Sequence, residues 1–256
     1  MLDQWANVPN QRIALTDPTP LSDHRPVLYA IGDVHGEAKR LQNLHAIIAE
    51  RHELLYPQRR KRLIHLGDYV DRGADSAGVI DVLLKAQDEM GDNCICLRGN
   101  HEAMMLDGLS DATETAYKNW LVNGGAETME SYQNRHQHRV PKAHISWLNR
   151  LPDIHLEARE KMIFVHAGIN PADYPNERDG VYLWTRARRF LDVETWSNPS
   201  LDGWTVVHGH TPTDDFYPDD RRARSRRINI DTGAVFGGRL TAAVFEPGKA
   251  VRYLYA

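Results

Sequence analysis

Leu63-Ile64-His65-Leu66-Gly67-Asp68-Tyr69-Val70-Asp71-Arg72-Gly73 runs from a largely apolar strand pattern straight into two carboxylates and an arginine. Beyond this loop, Val79, Ile80, Leu83 and Leu84 return at helical spacing, so the stretch reads as strand, loop and helix. The same unit stands on both sides of it. Upstream, the continuous apolar run Val27-Leu28-Tyr29-Ala30-Ile31 has the character of a strand buried on both faces, and it ends in Gly32-Asp33-Val34-His35-Gly36. A helix through Leu41, Leu44, Ile47, Ile48 and Leu55 follows. Downstream, Cys94-Ile95-Cys96-Leu97 ends in Arg98-Gly99-Asn100-His101-Glu102, ahead of a helical run with Met104 and Met105. Three such units in succession predict an α/β fold with a βαβαβ core and a parallel sheet. Ligands of such sheets collect beyond the carboxyl ends of the strands, where all three polar loops lie.

Outward from this core, residues 1–26 are polar and broken by Pro9, Pro18, Pro20 and Pro26, which reads as an arm ahead of one domain spanning 27–256. A chain of 256 residues can bury a full core in a single domain. Residues 111–150 read as a helical insertion, packed through Trp120, Leu121, Met129, Tyr132, Trp147 and Leu148 and broken at Gly124-Gly125. Its relation to the polar loops stays open at this point. Strands resume at Ile154-His155-Leu156, at Met162-Ile163-Phe164-Val165 before His166, and at Trp204-Thr205-Val206-Val207 before His208-Gly209-His210. The tail (Ile228-Asn229-Ile230, Ala234-Val235-Phe236, Leu240 to Phe245, Val251 to Tyr255) is expected to be antiparallel sheet with hairpin turns at Gly237-Gly238 and Pro247-Gly248.

Composition sets the bounds. Hydrophobic residues at 41% and charged residues at 26% exclude a disordered or collagen-like chain, and a net charge of -4 argues against a nucleic-acid partner. Met1 to Ala14 has no basic, then apolar, leader pattern, and no eighteen apolar residues run together, so a soluble, cytoplasmic protein with no membrane partner is expected. Cys94 and Cys96 alternate on one strand and so share a face, where a disulfide across one residue would be strained. They read as small buried core residues.

Five apolar runs thus end in metal-capable side chains: Asp33 and His35, Asp68, Asn100, His166, and His210. Carboxylate, imidazole and amide oxygen without thiolate suit borderline divalent ions such as Mn²⁺, Fe²⁺ or Zn²⁺. One Gly-Asp at a strand end is equally the mark of a turn or a helix cap. Five such ends in order are not.

The sequences GDVHG, GDYVDRG, GNHE, HAG and HGHT resemble the signature of the calcineurin-like metallophosphoesterases, in the phosphoprotein phosphatase branch and of the bacterial type that includes the lambda phage phosphatase. The resemblance runs from Val27 to the C-terminus. It implies a sandwich of two mixed β-sheets flanked by helices and two divalent ions, manganese first, with iron, zinc, cobalt or nickel as alternatives. It implies Asp33 and His35 on one ion, Asn100, His166 and His210 on the other, and Asp68 bridging them. Two such ions sharing a water make hydroxide, rather than a side chain, the nucleophile. His101 matches the general acid and Asp71 the carboxylate that orients it. Arg72 brings a planar fork suited to phosphate oxygens, and Arg186, in Leu183-Trp184-Thr185-Arg186, matches a second phosphate arginine ahead of Arg188 and Arg189.

The resemblance thus implies a phosphomonoesterase acting on phosphorylated protein or a small phosphomonoester, with a dinucleoside polyphosphate or nucleotide-sugar pyrophosphohydrolase as the alternative. The Ser-Ala-Pro-Asn-Tyr segment of eukaryotic relatives is absent; Asp231 to Gly238 stands in its place, which leaves serine or threonine against tyrosine preference open. Asp231 is expected to support the site from behind the ligands. His208 precedes the ligand pattern and reads as a packing or hydrogen-bonding residue. His24, His45, His52, His65, His136, His138, His144 and His155 stand in no strand-end motif and read as surface or structural. The Arg221 to Arg227 run follows Asp214, Asp215, Asp219 and Asp220 and reads as a self-neutralising loop.

Overall fold

The computed structural model describes residues 13–15, 25–110, 113–176, 178, 180–220 and 226–256. The first half runs β1 (Ile13–Leu15), β2 (Val27–Ile31), α1 (Ala38–Leu55), β3 (Lys61–His65), α2 (Ser76–Met90), β4 (Cys94–Cys96) and α3 (Asn100–Leu109). Helices α4 (Glu114–Trp120), α5 (Ala126–Gln133) and α6 (Lys142–Arg150) follow. The second half runs β5 (Ile154–Glu157), β6 (Met162–Val165), α7 (Val181–Trp184), α8 (Arg188–Leu191), β7 (Thr205–His208), β8 (Arg227–Asn229), β9 (Thr241–Phe245) and β10 (Arg252–Tyr255).

The strands form two five-stranded mixed sheets, ordered β10-β9-β2-β3-β4 and β1-β5-β6-β7-β8. In the first, β2, β3 and β4 are parallel, as the βαβαβ reading requires, and β9 closes antiparallel on β2. In the second, β6, β7 and β8 are parallel. Leu28, Ala30, Ile64, Leu66, Ile95 and Leu97 of one sheet pack on Phe164, Val207, Ile228 and Ile230 of the other, and this is the inner core of the sandwich. The alternate residues of the first sheet, Tyr29, Ile31, Leu63, Cys94 and Cys96, join the helical layer through Leu41, Ile48, Val79, Leu83, Trp120 and Trp147. The two cysteines therefore share the helix-facing side and are free and buried.

Three expectations need correction. The arm is not wholly unpaired, because Ile13–Leu15 adds parallel to the open edge of β5; its apolar Ile-Ala-Leu run is the one part of the arm with strand character. The tail is not one antiparallel sheet. Arg227–Asn229 pairs parallel with β7, and only β9 and β10 make the expected hairpin. Ala234–Phe236 is a single 3₁₀ turn, since Gly233 (φ 65°) and Gly237 (φ 91°) bend the chain out of extended geometry on either side.

Candidate metal centre

Because β2, β3 and β4 run parallel, as do β6, β7 and β8, their carboxyl ends meet at one end of the sandwich. Asp33 and His35 follow β2, Asp68 follows β3, Asn100 opens α3 just after β4, His166 follows β6 and His210 follows β7. All six are at least nine-tenths buried. His35, Asp68 and His210, with Asp71 and Arg72, are five of the eight described non-glycine residues with positive φ. Left-handed backbone in such residues costs about 1–3 kcal/mol each and persists only where the surroundings impose it.

One group of donor atoms comes from Asp68, His166 and His210, and a second from His35, Asp68 and His101; within each, the atoms lie within 4.8 Å of one another. Asp68 alone belongs to both. In the first group His166 Nε2 stands 2.9 Å from Asn100 Oδ1, 3.2 Å from His210 Nδ1 and 3.3 Å from Asp68 Oδ1. His166 Nδ1 donates to Leu66 O at 3.0 Å. Its Nε2 thus faces two oxygens and another imidazole nitrogen, a concentration of donor atoms that a positive charge, a proton or a metal ion, relieves. At His35, Nδ1 donates to Val70 O at 2.9 Å, and Nε2 lies 3.4 Å from Asp68 Oδ2 and accepts from Arg72 Nη1 at 2.6 Å.

The electrostatics fit as well. Burial pushes His35 down to about 3 and His210 down to about 2, so both rings are neutral at pH 7. Burial also acts on His166, but Asp68, Asp33 and Glu102 outweigh it and raise this ring to about 9. Burial and then Asp231 hold Asp33 well above the usual carboxylate range; burial raises Asp231 to about 6. Carboxylates that push one another up in this way are a set that divalent charge would discharge. Asp33 lies in neither group, but both its oxygens accept from the His210 backbone N–H, at 3.0 and 3.2 Å.

Neighbouring polar residues pack against this cluster. His101 Nδ1 donates to Asp71 Oδ2 at 2.7 Å, which leaves Nε2 as the nitrogen with an exchangeable proton. Glu102 is a residue that sequence reading quoted but gave no part. Its buried carboxylate accepts from the backbone N–H of Asp68 (2.8 Å), Tyr69 (2.7 Å), Val70 (3.2 Å) and Gly99 (2.8 Å), so it shapes the 67–73 loop. Gly99 is required beside it, because a Cβ there would meet the Asp68 carboxylate.

A model of the calcineurin-like phosphoesterase family matches residues 27–238. The chain belongs to that family. Calcineurin-like phosphoesterases use a dinuclear divalent metal centre, which the donor set described above fits. Among relatives, serine/threonine-protein phosphatase 1 of Salmonella typhimurium is 29% identical over 223 residues, covering 84% of this chain and 90% of that protein. The asymmetrical bis(5'-nucleosyl)-tetraphosphatase of Bacillus cereus is 27% identical over 229 residues, covering 83% of this chain and 87% of the relative. A protein serine/threonine phosphatase structure from Saccharomyces cerevisiae shares the fold, with a TM-score of 0.59 at 13% identity over 96% of this chain and 84% of that one.

Within this calcineurin-like phosphoesterase, Arg186 follows α7 at the rim, exposed, with its Nε donating to Thr211 Oγ1 beside His210 at 3.1 Å. Arg188 and Arg189 are exposed on α8. Asp231 is buried behind Asp33, its Oδ1 accepting from Gly233 N at 3.0 Å. His208 packs on Phe190 and accepts from Arg227 Nη1 at 2.7 Å. His65 and His155 are fully buried, His52 and His144 nearly so, and His136 and His138 are exposed; His24 and Arg221 to Ser225 lie outside the described residues. Among the described residues no helix is long and apolar enough to cross a membrane.

Proposed function

We propose that this phosphoesterase-family hydrolase is a metal-dependent phosphomonoesterase of the protein phosphatase type, working in the cytoplasm on phosphorylated protein or a small phosphomonoester. In this reading Asp33, His35, Asp68, Asn100, His166 and His210 hold two divalent ions, manganese first, within one domain spanning 27–256. Such ions, when bound, supply Lewis acidity and a water acidic enough to act as nucleophile at neutral pH. The observation that carries the reading is the His101–Asp71 pair, at 2.7 Å, set directly against the donor cluster with Arg72 beside it.

The chain's own residues then divide the work. Arg72 grips the phosphoryl oxygens through its fork, and Arg186 meets the same group from the opposite rim. His101 Nε2 gives its proton to the oxygen that departs from phosphorus, and Asp71 keeps the Nδ1 proton in place. The products are inorganic phosphate and a neutral alcohol or phenol.

A second reading, hydrolysis of dinucleoside polyphosphates, has its own support. Trp184 (45% exposed) faces His210 at a centroid separation of 6.5 Å, and Phe236 (54% exposed) lies under Arg72 at 5.5 Å. These exposed rings offer stacking faces for a nucleobase, and equally for a phosphotyrosine ring. Manganese-reconstituted enzyme should be compared on phosphoserine, phosphothreonine and phosphotyrosine peptides and on diadenosine tetraphosphate. Higher kcat/KM on a phosphopeptide supports the first reading; a preference of tenfold or more for the dinucleotide replaces it with the second.

A further inference from the structure

Helices α4 and α5 of the insertion, with the turn between them, bond directly to Asp71 and Arg72 of the 67–73 loop. Trp120, at the end of α4, is fully buried, and its indole Nε1 donates to Asp71 Oδ1 at 2.9 Å and Oδ2 at 3.1 Å. Thr128, in α5, is also fully buried; its hydroxyl donates to Asp71 Oδ1 at 2.7 Å and accepts from the Asp71 backbone N–H at 2.8 Å. Between the two helices the chain makes a π turn, Leu121–Gly125, with Gly124 at φ 110°. Gly124 O accepts from the Arg72 backbone N–H at 3.0 Å. The insertion therefore binds both residues of the left-handed pair, Asp71 (φ 72°) at backbone and side chain and Arg72 (φ 69°) at its backbone.

The two glycines that interrupt the helical pattern make this fit. A Cβ at Gly124 would stand 2.7 Å from Arg72 N, and one at Gly125 would stand 2.5 Å from the Trp120 ring. Gly124 lets Arg72 seat, and Gly125 lets the indole lie flat against the turn. Trp120 also packs on Gly108 of α3, the helix whose second residue is His101.

We propose that Trp120, Thr128 and the Gly124–Gly125 turn form a clamp that positions Asp71, and through it His101, for protonation of the leaving group. Resting on the reading of His101 as the acid, this makes the insertion a part of kcat and not a lid over the site. His101 Nδ1–H stays bonded to Asp71 Oδ2 while the Nε2 proton passes to the leaving oxygen and the P–O bond breaks. The hydroxyl anchors Oδ1 of Asp71 and the indole spans both oxygens, so the carboxylate plane is fixed and Oδ2 is held at 2.7 Å from His101 Nδ1. Trp120 and Thr128 touch neither phosphate nor metal, so they are positioning residues.

The test uses the full-length, manganese-reconstituted protein, with Thr128→Val, Thr128→Ser and Trp120→Phe assayed on two aryl phosphates. Phenol, with a pKa of about 10 like tyrosine, needs its proton in the transition state, whereas 4-nitrophenol leaves readily as the anion. The clamp predicts that Thr128→Val and Trp120→Phe lower kcat on phenyl phosphate about tenfold or more, lower it less than about threefold on 4-nitrophenyl phosphate, and leave KM near its wild-type value. Thr128→Ser restores the phenyl phosphate rate. Equal losses on both substrates, or none on either, overturn the clamp. His101→Asn is the control: if it shows no leaving-group dependence, the acid assignment itself fails, whereas dependence in His101→Asn but not in the clamp variants defeats the clamp alone. A readout without turnover is the downfield proton resonance of His101 Nδ1–H. Asp71→Asn should abolish it and both clamp variants should shift it, and an unshifted signal in both contradicts the proposal.

Discussion

Asp68 and Arg72 sit four residues apart in one loop, and their surroundings give them separable tasks. Asp68 (φ 52°) belongs to both donor groups; burial opposes its ionisation, but His166, His101 and His35 outweigh this and hold the carboxyl well below the usual range. Replacing it by the amide of Asn removes the charge common to both groups, so Asp68→Asn should lose bound metal together with turnover. Arg72 lies at the edge of the cluster, with its guanidinium against His35 and over Phe236. Arg72→Ala should keep its metal and lower kcat/KM for aryl phosphates by roughly 10²–10³ through lost transition-state stabilisation. Metal content and steady-state kinetics on the same preparations separate the two, and metal loss in both variants would show that the tasks are not divided.

At the scale of elements, the 67–73 loop is held less by its own preferences than by α3 and the insertion. From the first turn of α3, Glu102 accepts three loop N–H groups, with the Asp68 and Tyr69 bonds at 2.8 and 2.7 Å, and that of Gly99 as a fourth. Deleting it strands buried donors that cannot reach water. Glu102→Ala should cost roughly 3 kcal/mol or more of stability, read by urea unfolding, since four hydrogen bonds are lost and each buried donor left unsatisfied costs about 1–3 kcal/mol. A loss below about 1 kcal/mol would mean that the loop is held elsewhere. The same contrast explains what the sequence makes legible. Strand-end motifs are local, so β2, β3, β4, β6 and the strand-end placement of Asp33, His35, Asp68, Asn100, His166 and His210 follow from apolar runs ending at Gly-Asp, Asn-His or His-Gly. Partnerships are not local. The bond between Trp120 and Asp71 spans 49 residues and that between Thr128 and Asp71 spans 57, and nothing in the periodicity of a polar helical insertion announces either. Ala234–Phe236 misleads for a related reason: a short apolar triplet between glycines has the composition of a strand but lacks a neighbour to pair with.

For the molecule as a whole, histidine burial away from the donor cluster sets a dependence on pH. Burial lowers His45 to about 3 and also lowers His52 and His144. Unfolded, each titrates near 6.5, so between that value and the folded one the unfolded chain binds more protons and stability falls as pH falls. His45, hydrogen-bonded to His65 at 2.9 Å, contributes a slope of up to about 1.4 kcal/mol per pH unit for one proton. Urea unfolding at pH 7.5 and 5.5 should show a smaller loss in His45→Gln than in the wild type, and equal losses would rule His45 out as a source. The sandwich itself has a simpler consequence: two sets of parallel strands bring the donor atoms of His35, Asp68, His101, His166 and His210 together at one end. The direct measurement is the manganese content of reconstituted, desalted wild-type and Asp68→Asn protein, each assayed on 4-nitrophenyl phosphate. The account predicts two ions per wild-type chain, with loss of at least one ion and of turnover in the variant. Two ions retained by Asp68→Asn, or full hydrolysis by wild-type protein stripped with a chelator, would contradict it.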